Sequence, residues 1–300
     1  MMRDTRDAGS SVVIGFVILL MLVALGIGIW AMISLPAQMQ EAESTHAIVL
    51  QNAFLDFKLS ADKVRVNDLS GARFSMLLPG RAGISGSTVS FVNDTTSGIY
   101  VYNVTNRNQE LWSLRTIGRL SASVGGTRGA TEIGYEAGGV FRGDNGHMVW
   151  ITPGLIEIYP DAKENRTINV EIVMPVLSGN PSISSNWGVP LNCLYRGYTD
   201  RYLSEKNLTM EIRFTTTSPS DQKRGHIQLW QTMFSEAVIR YQNAVTENSL
   251  TKLTGKEIKL VESTDNFAAM QLYCRDGISV KVYIREATYD VSLVNRYDES

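Results

Sequence analysis

The chain reads as a mainly β, sandwich-like ectodomain carried on a long N-terminal helix that crosses a membrane and continues as an amphipathic stalk. Three observations predict this. Val12 to Leu35 is a run of 24 residues without one charged side chain. Beyond Pro36, apolar residues recur at helical spacing. From about Val66, short β-branched or alternating runs are punctuated by turn residues.

At about 1.5 Å per residue the uncharged run reaches about 36 Å, more than the roughly 30 Å hydrocarbon layer of a bilayer. A helix in a soluble core seldom stays apolar on every face for that length. Arg3 and Arg6 precede the run, and Pro36 to Phe57 holds neither Lys nor Arg. The positive-inside rule then predicts a cytoplasmic N-terminus and an external remainder, a single-pass cell-membrane protein in contact with lipid. A secretory signal has an apolar core of about 7–15 residues followed by a small-x-small site. This core is longer and lacks such a site, so the helix is expected to stay with the protein. Ala24, Gly28 and Ala31 set small residues along one face, the pattern that lets two membrane helices pack closely. Pro36 predicts a kink or break where the helix leaves the membrane.

The stalk follows from spacing. Ala47, Leu50, Phe54, Phe57, Ala61 and Val64 recur at intervals of 3, 4, 3, 4 and 3, one apolar stripe on a helix over residues 36–65. Glu41, Glu43, Asp56, Lys58 and Asp62 fall largely off it.

The front edge of the helix carries a family pattern. Gly9-Ser10-Ser11-Val12-Val13-Ile14-Gly15 resembles the N-terminus of archaeal type IV pilin-like proteins. The position before the Gly, usually charged in that family, is Ala8 here. The resemblance implies a leader of residues 1–9 removed between Gly9 and Ser10 by a prepilin-type peptidase, a membrane helix over 10–35 retained in the mature protein, and other pilin-like subunits as partners. It implies an archaeal cell-surface protein with a structural or assembly role, as a minor filament subunit or envelope component.

The ectodomain, residues 66–300, is predicted to place strands at Thr88–Val92, Ile99–Val104, Leu120–Val124, Gly139–Phe141, Met148–Ile151, Leu155–Tyr159 and Ile168–Met174. Five more follow at Leu208–Phe214, Glu257–Val261, Ala268–Cys274, Ser279–Ile284 and Thr288–Leu293. Asn145-Gly146 signals a tight hairpin. One additional amphipathic helix, capped by Ser220 and ending near Glu247, presents Ile227, Trp230, Phe234, Ala237, Val238 and Tyr241 to a sheet. Asn180–Leu203, rich in Pro, Ser, Gly and aromatics, reads as a long loop, with a lobe boundary near 175–205. An anchored receptor or adhesin that binds a polymer or surface glycan through that loop is the alternative function.

Little chemistry appears along the chain. Its formal net charge of −2 argues against a nucleic-acid partner, which requires a basic face. His46, His147 and His226 stand far apart and outside metal-ligand spacings, each expected to face solvent or be hydrogen-bonded, and no metal or cofactor is expected. Gly83–Ser87 is not the G-x-S-x-G elbow, and Gly125–Ala130 lacks the Lys-Ser/Thr of a phosphate loop. The expectation is a protein that is not an enzyme. Cys193 and Cys274 leave two readings open, a disulfide in an external domain or two buried thiols. Asn93, Asn103, Asn165 and Asn207 head N-x-S/T sequons, candidate glycosylation sites of an external glycoprotein.

Overall fold

The computed structural model describes residues 6–78, 87–94, 97–106, 108–126, 129–179, 183–185, 188–216, 220–247, 252–274 and 277–293. The chain opens with helix α1 (Arg6–Val66), followed by β1 (Arg73–Leu78), β2 (Ser87–Asp94), β3 (Ser97–Asn103), β4 (Gln109–Leu114) and β5 (Ile117–Gly126). Next come β6 (Gly129–Glu136), β7 (Gly139–Asp144), β8 (His147–Thr152), β9 (Leu155–Pro160), β10 (Thr167–Gly179), β11 (Ile183–Ser185) and β12 (Val189–Lys206). The last elements are β13 (Thr209–Thr216), α2 (Ser220–Glu247), β14 (Ile258–Thr264), β15 (Phe267–Tyr273) and β16 (Ser279–Leu293).

The strands form three sheets: a shared sheet in the order β1-β12-β16-β10-β9, a six-stranded sheet β11-β2-β5-β6-β7-β8, and a distal sheet β14-β15-β13-β3-β4. The shared sheet serves two cores, one on each face. Ile168, Val170, Ile172 and Met174 of β10, with Val280, Val282 and Ile284 of β16, join the core built by the distal sheet and α2. Further along the same strands, Leu177, Ala287, Tyr289 and Val291 join the core built by the six-stranded sheet and α1. Because side chains alternate along a strand, the step from even to odd positions moves the buried set to the opposite face.

On β12 the same switch coincides with a bulge. Tyr195 pairs with Tyr289, but Gly197 pairs with Thr288, so Arg196 is an extra residue, and Gly197 takes φ +121. Gly118 on β5 lies so close to the Leu177 carbonyl that a Cβ would overlap it, which brings the six-stranded sheet hard against β10 at the crossing.

Several expectations need correction. Pro36 does not end the helix, which runs unbroken from Arg6 to Val66. One missing N–H is outweighed by good helix formers on its far side, Ala37 to Glu41. The part of Asn180–Leu203 within the described residues is not a long loop; residues 180–182 and 186–187 lie outside them. From Val189 it belongs to β12, an 18-residue strand that buries Val189, Leu191, Cys193 and Tyr195. The two C-terminal strands are one, β16, because Arg285–Ala287, poor in β-formers, sit where the strand changes cores. β1, β4, β6 and β11 were not anticipated. Helix α2 falls on the expected residues, and Asn145-Gly146 makes the β7–β8 hairpin with both residues at positive φ.

Candidate assembly helix

Helix α1 is 61 residues long and divides by burial, not by backbone. Its apolar N-terminal half is long enough to cross a membrane, and none of that window is covered by the rest of the chain. Ala24, Gly28 and Ala31 lie in this bare half, and a Cβ added to Gly28 would meet nothing within 4 Å. Ser34 Oγ turns inward and donates to the Trp30 carbonyl at 2.7 Å, so the lone hydroxyl of the run is satisfied within the helix. Gly9 and Ser10 fall within the helical backbone of α1.

The C-terminal half is seated between the six-stranded sheet and the shared sheet. All six residues of the expected stripe, Ala47, Leu50, Phe54, Phe57, Ala61 and Val64, are buried. Phe57 meets Tyr135 edge-on at 5.0 Å and Phe74 at 5.5 Å. Polar contacts fix the depth. Lys58 Nζ bonds Asp62 at 2.8 Å and donates to the Gly138 carbonyl in the β6–β7 turn at 2.8 Å. Arg65 pairs with Asp62 at 3.0 Å.

A second stripe was not anticipated. Ile48, Leu59 and Val66 are 54%, 66% and 70% exposed, with half-buried Leu55 between them. Ile48 and Val66 are 18 residues apart, five turns at about 3.6 residues each, and Leu55 and Leu59 lie within about 20° of that line. Phe57, two and a half turns from Ile48, points the opposite way into the core. The signal was present in the spacings 7, 4 and 7, masked because one apolar stripe already accounted for the helix.

Distance decides what can cover this stripe. Measured from Leu35, Ile48 is about 20 Å and Val66 about 46 Å further along the axis. Headgroups extend the bilayer by only about 5–8 Å on each side. Lipid around an apolar half that spans a bilayer would therefore not reach the stripe.

The remaining candidate residues are dispersed. Cys193 and Cys274 are free thiols buried in different cores, so the disulfide reading gives way to the reading with two buried thiols. Burial pushes both thiols up to about 12. Asn165 and Asn207 are exposed, and Asn103 is half-buried with its side-chain oxygen accepting the Asn106 N–H at 3.2 Å. The side chain of Asn93 lies outside the described residues.

The histidines differ from one another. His147 is exposed at the start of β8. His46, expected to be solvated or hydrogen-bonded, is instead 3% exposed with Nε2 lacking a partner among the described residues, and burial lowers its pKa. His226 of α2 enters a buried network. Its Nδ1 lies 3.1 Å from Glu136 Oε2, its Nε2 meets Arg119, and Trp230 Nε1 donates to Glu136 Oε1 at 3.0 Å. Arg119 can only donate, so Nε2 accepts and the ring proton sits on Nδ1, directed at Glu136. Burial pushes the Glu136 carboxyl up, but His226, Arg119 and Trp230 together bring it below its ordinary value. With Nε2 engaged by Arg119, this network bolts α2 to β5 and β6, joining the two cores.

Comparison of the chain with protein-family models, with curated proteins and with solved structures finds no match in any of the three.

Proposed function

We propose that the chain is a membrane-anchored, pilin-like surface subunit of an archaeal envelope, assembling through α1 with further subunits while the β-rich head stays external. The observation that carries this reading is the exposed stripe Ile48, Leu59 and Val66, with Leu55 between them half-buried at the edge of the core. It lies beyond the reach of lipid, on the face of α1 opposite the core, so its natural cover is protein. Burying each of the three most exposed residues contributes roughly 1.5–3 kcal/mol.

Geometry favours another α1 as that protein. Membrane anchoring holds all copies parallel and at one height, so the stripes of neighbouring copies meet at the same level and a high effective concentration. The small residues Ala24, Gly28 and Ala31 support close approach of the same helices inside the bilayer. Arg3 and Arg6 support a cytoplasmic leader and an external head. The exposed sequons at Asn165 and Asn207 are compatible with glycosylation on that side.

Mass spectrometry of the chain purified from an archaeal membrane tests the processing step. A mature N-terminus at Ser10 supports pilin-type handling, whereas retention of Met1 or Met2 contradicts it.

A further inference from the structure

Before it reaches the α1 core, the face of the shared sheet opposite the α2 core is open around Tyr202, Tyr283 and Glu157, and strand register arranges its side chains in rows. Tyr202 of β12 pairs with Tyr283 of β16, Tyr283 with Glu171 of β10, and Glu171 with Glu157 of β9. The two tyrosines are 54% and 42% exposed, with ring centroids 4.9 Å apart. They line a shallow cleft of about 270 Å³ with Glu171, Asp200 and Arg285.

The row is electrostatically incomplete. Glu157 and Glu171 stand directly opposite one another, an arrangement that destabilises a sheet when both are charged. Tyr159 Oη donates to Glu171 at 2.5 Å, which satisfies one oxygen but adds no positive charge. Lys281 and Arg285, the cations of the two rows flanking this one, are already engaged. Lys281 holds Glu164 at 2.9 Å and Asp161 at 3.8 Å, and Arg285 holds Asp200 through two bonds of 2.8 and 3.0 Å.

The neighbouring row displays the completed form. There the Arg285 guanidinium lies 4.4 Å over the Tyr198 ring while it grips Asp200, a cation held between an aromatic face and a carboxylate. The row Tyr202–Tyr283–Glu171–Glu157 has the same ingredients without the cation.

We propose that this row docks a basic, extended segment of a partner protein, with one Lys or Arg side chain lying over Tyr202 and Tyr283 and its charge against Glu171 and Glu157. A neutral saccharide offers no charge to offset the carboxylate pair, and anionic lipid headgroups are repelled by it. This surface belongs to the head and does not depend on the assembly reading of α1.

The test is a titration of the full chain in detergent micelles with a lysine octapeptide at fixed ionic strength, followed by calorimetry. The expected result is saturable binding at one site, weakened about tenfold by the double variant E157Q/E171Q and also weakened by Y202A/Y283A. The double variant E247Q/E262Q removes two exposed carboxylates elsewhere and is expected to bind within about twofold of the parent. Thermal melts establish that each variant is folded, and E157Q/E171Q is expected to melt no lower than the parent. Three results would overturn the proposal: no binding of the peptide, equal weakening by both Gln doubles, or saturable binding of a neutral oligosaccharide at Tyr202 and Tyr283 that ignores Glu157 and Glu171.

Discussion

Tyr289 on β16 donates its hydroxyl hydrogen to the carbonyl of Ala61 on α1, 2.9 Å away in the core between the helix and the shared sheet. One of the last strand residues of the chain is thereby tied to the stalk helix near its beginning. The Ala61 carbonyl also belongs to the intrahelical ladder, so removing the hydroxyl does not orphan it. Tyr289→Phe is therefore expected to cost about 1 kcal/mol, the net worth of one hydrogen bond. Tyr289→Ala is expected to cost about 3–5 kcal/mol through the cavity it leaves. Urea denaturation of the detergent-solubilised chain measures both.

The two faces of α1 are expected to respond differently to truncation. Phe54→Ala removes a fully buried ring and should cost about 3–5 kcal/mol. Leu59→Ala removes an exposed side chain and should change the stability of the isolated subunit by no more than about 0.5 kcal/mol. Equal losses at both positions would mean that the second stripe is packed within the subunit.

The buried carboxylate gives a pH dependence with a defined sign. Glu136 is held below the ordinary carboxylate value in the folded chain by His226, Arg119 and Trp230, which together outweigh its burial. Its contribution is complete above that value and is lost as pH falls through the lowered folded value. Between pH 6 and pH 3, the chain is expected to lose more stability than Glu136→Gln does. The variant starts lower, by about 3–5 kcal/mol, because His226 and Arg119 are left facing a neutral group. Parallel pH profiles for the two proteins would remove Glu136 from the acid response.

Cys193 and Cys274 lie in separate cores with their thiols pushed up to about 12. Neither should react with a thiol reagent at neutral pH in the folded chain, and both should react after denaturation. Reductant is expected to leave electrophoretic mobility unchanged. A mass 2 Da below the fully reduced value would reveal the bridge that this structure excludes.

What was legible in the sequence follows from how far each signal extends along the chain. Helix α2 and the buried stripe of α1 are periodic over many turns, and both lie where the spacing puts them. Strand β12 was hidden because Pro190 and Gly197 punctuate it, and because the bulge at Arg196 shifts its alternation halfway. Strand β16 appeared as two because it buries one face early and the other face late, which no single alternation describes. The aromatic and acidic row of the shared sheet draws on β9, β10, β12 and β16, and only the register brings Glu157, Glu171, Tyr283 and Tyr202 into line. Pro36 misled for a different reason: a local rule about one residue was overridden by the strong helix formers around it.

The central claim is that α1 packs against α1 of a neighbouring copy outside the membrane. Leu59→Cys tests it most directly, because the two native thiols are buried and leave the new one as the reactive site. Oxidation in native membranes is expected to yield a disulfide-linked dimer for Leu59→Cys. An exposed position of α2 such as Arg240→Cys serves as the reference and is expected to stay monomeric. A Leu59→Cys chain that cross-links no more than the Arg240→Cys chain would contradict the account.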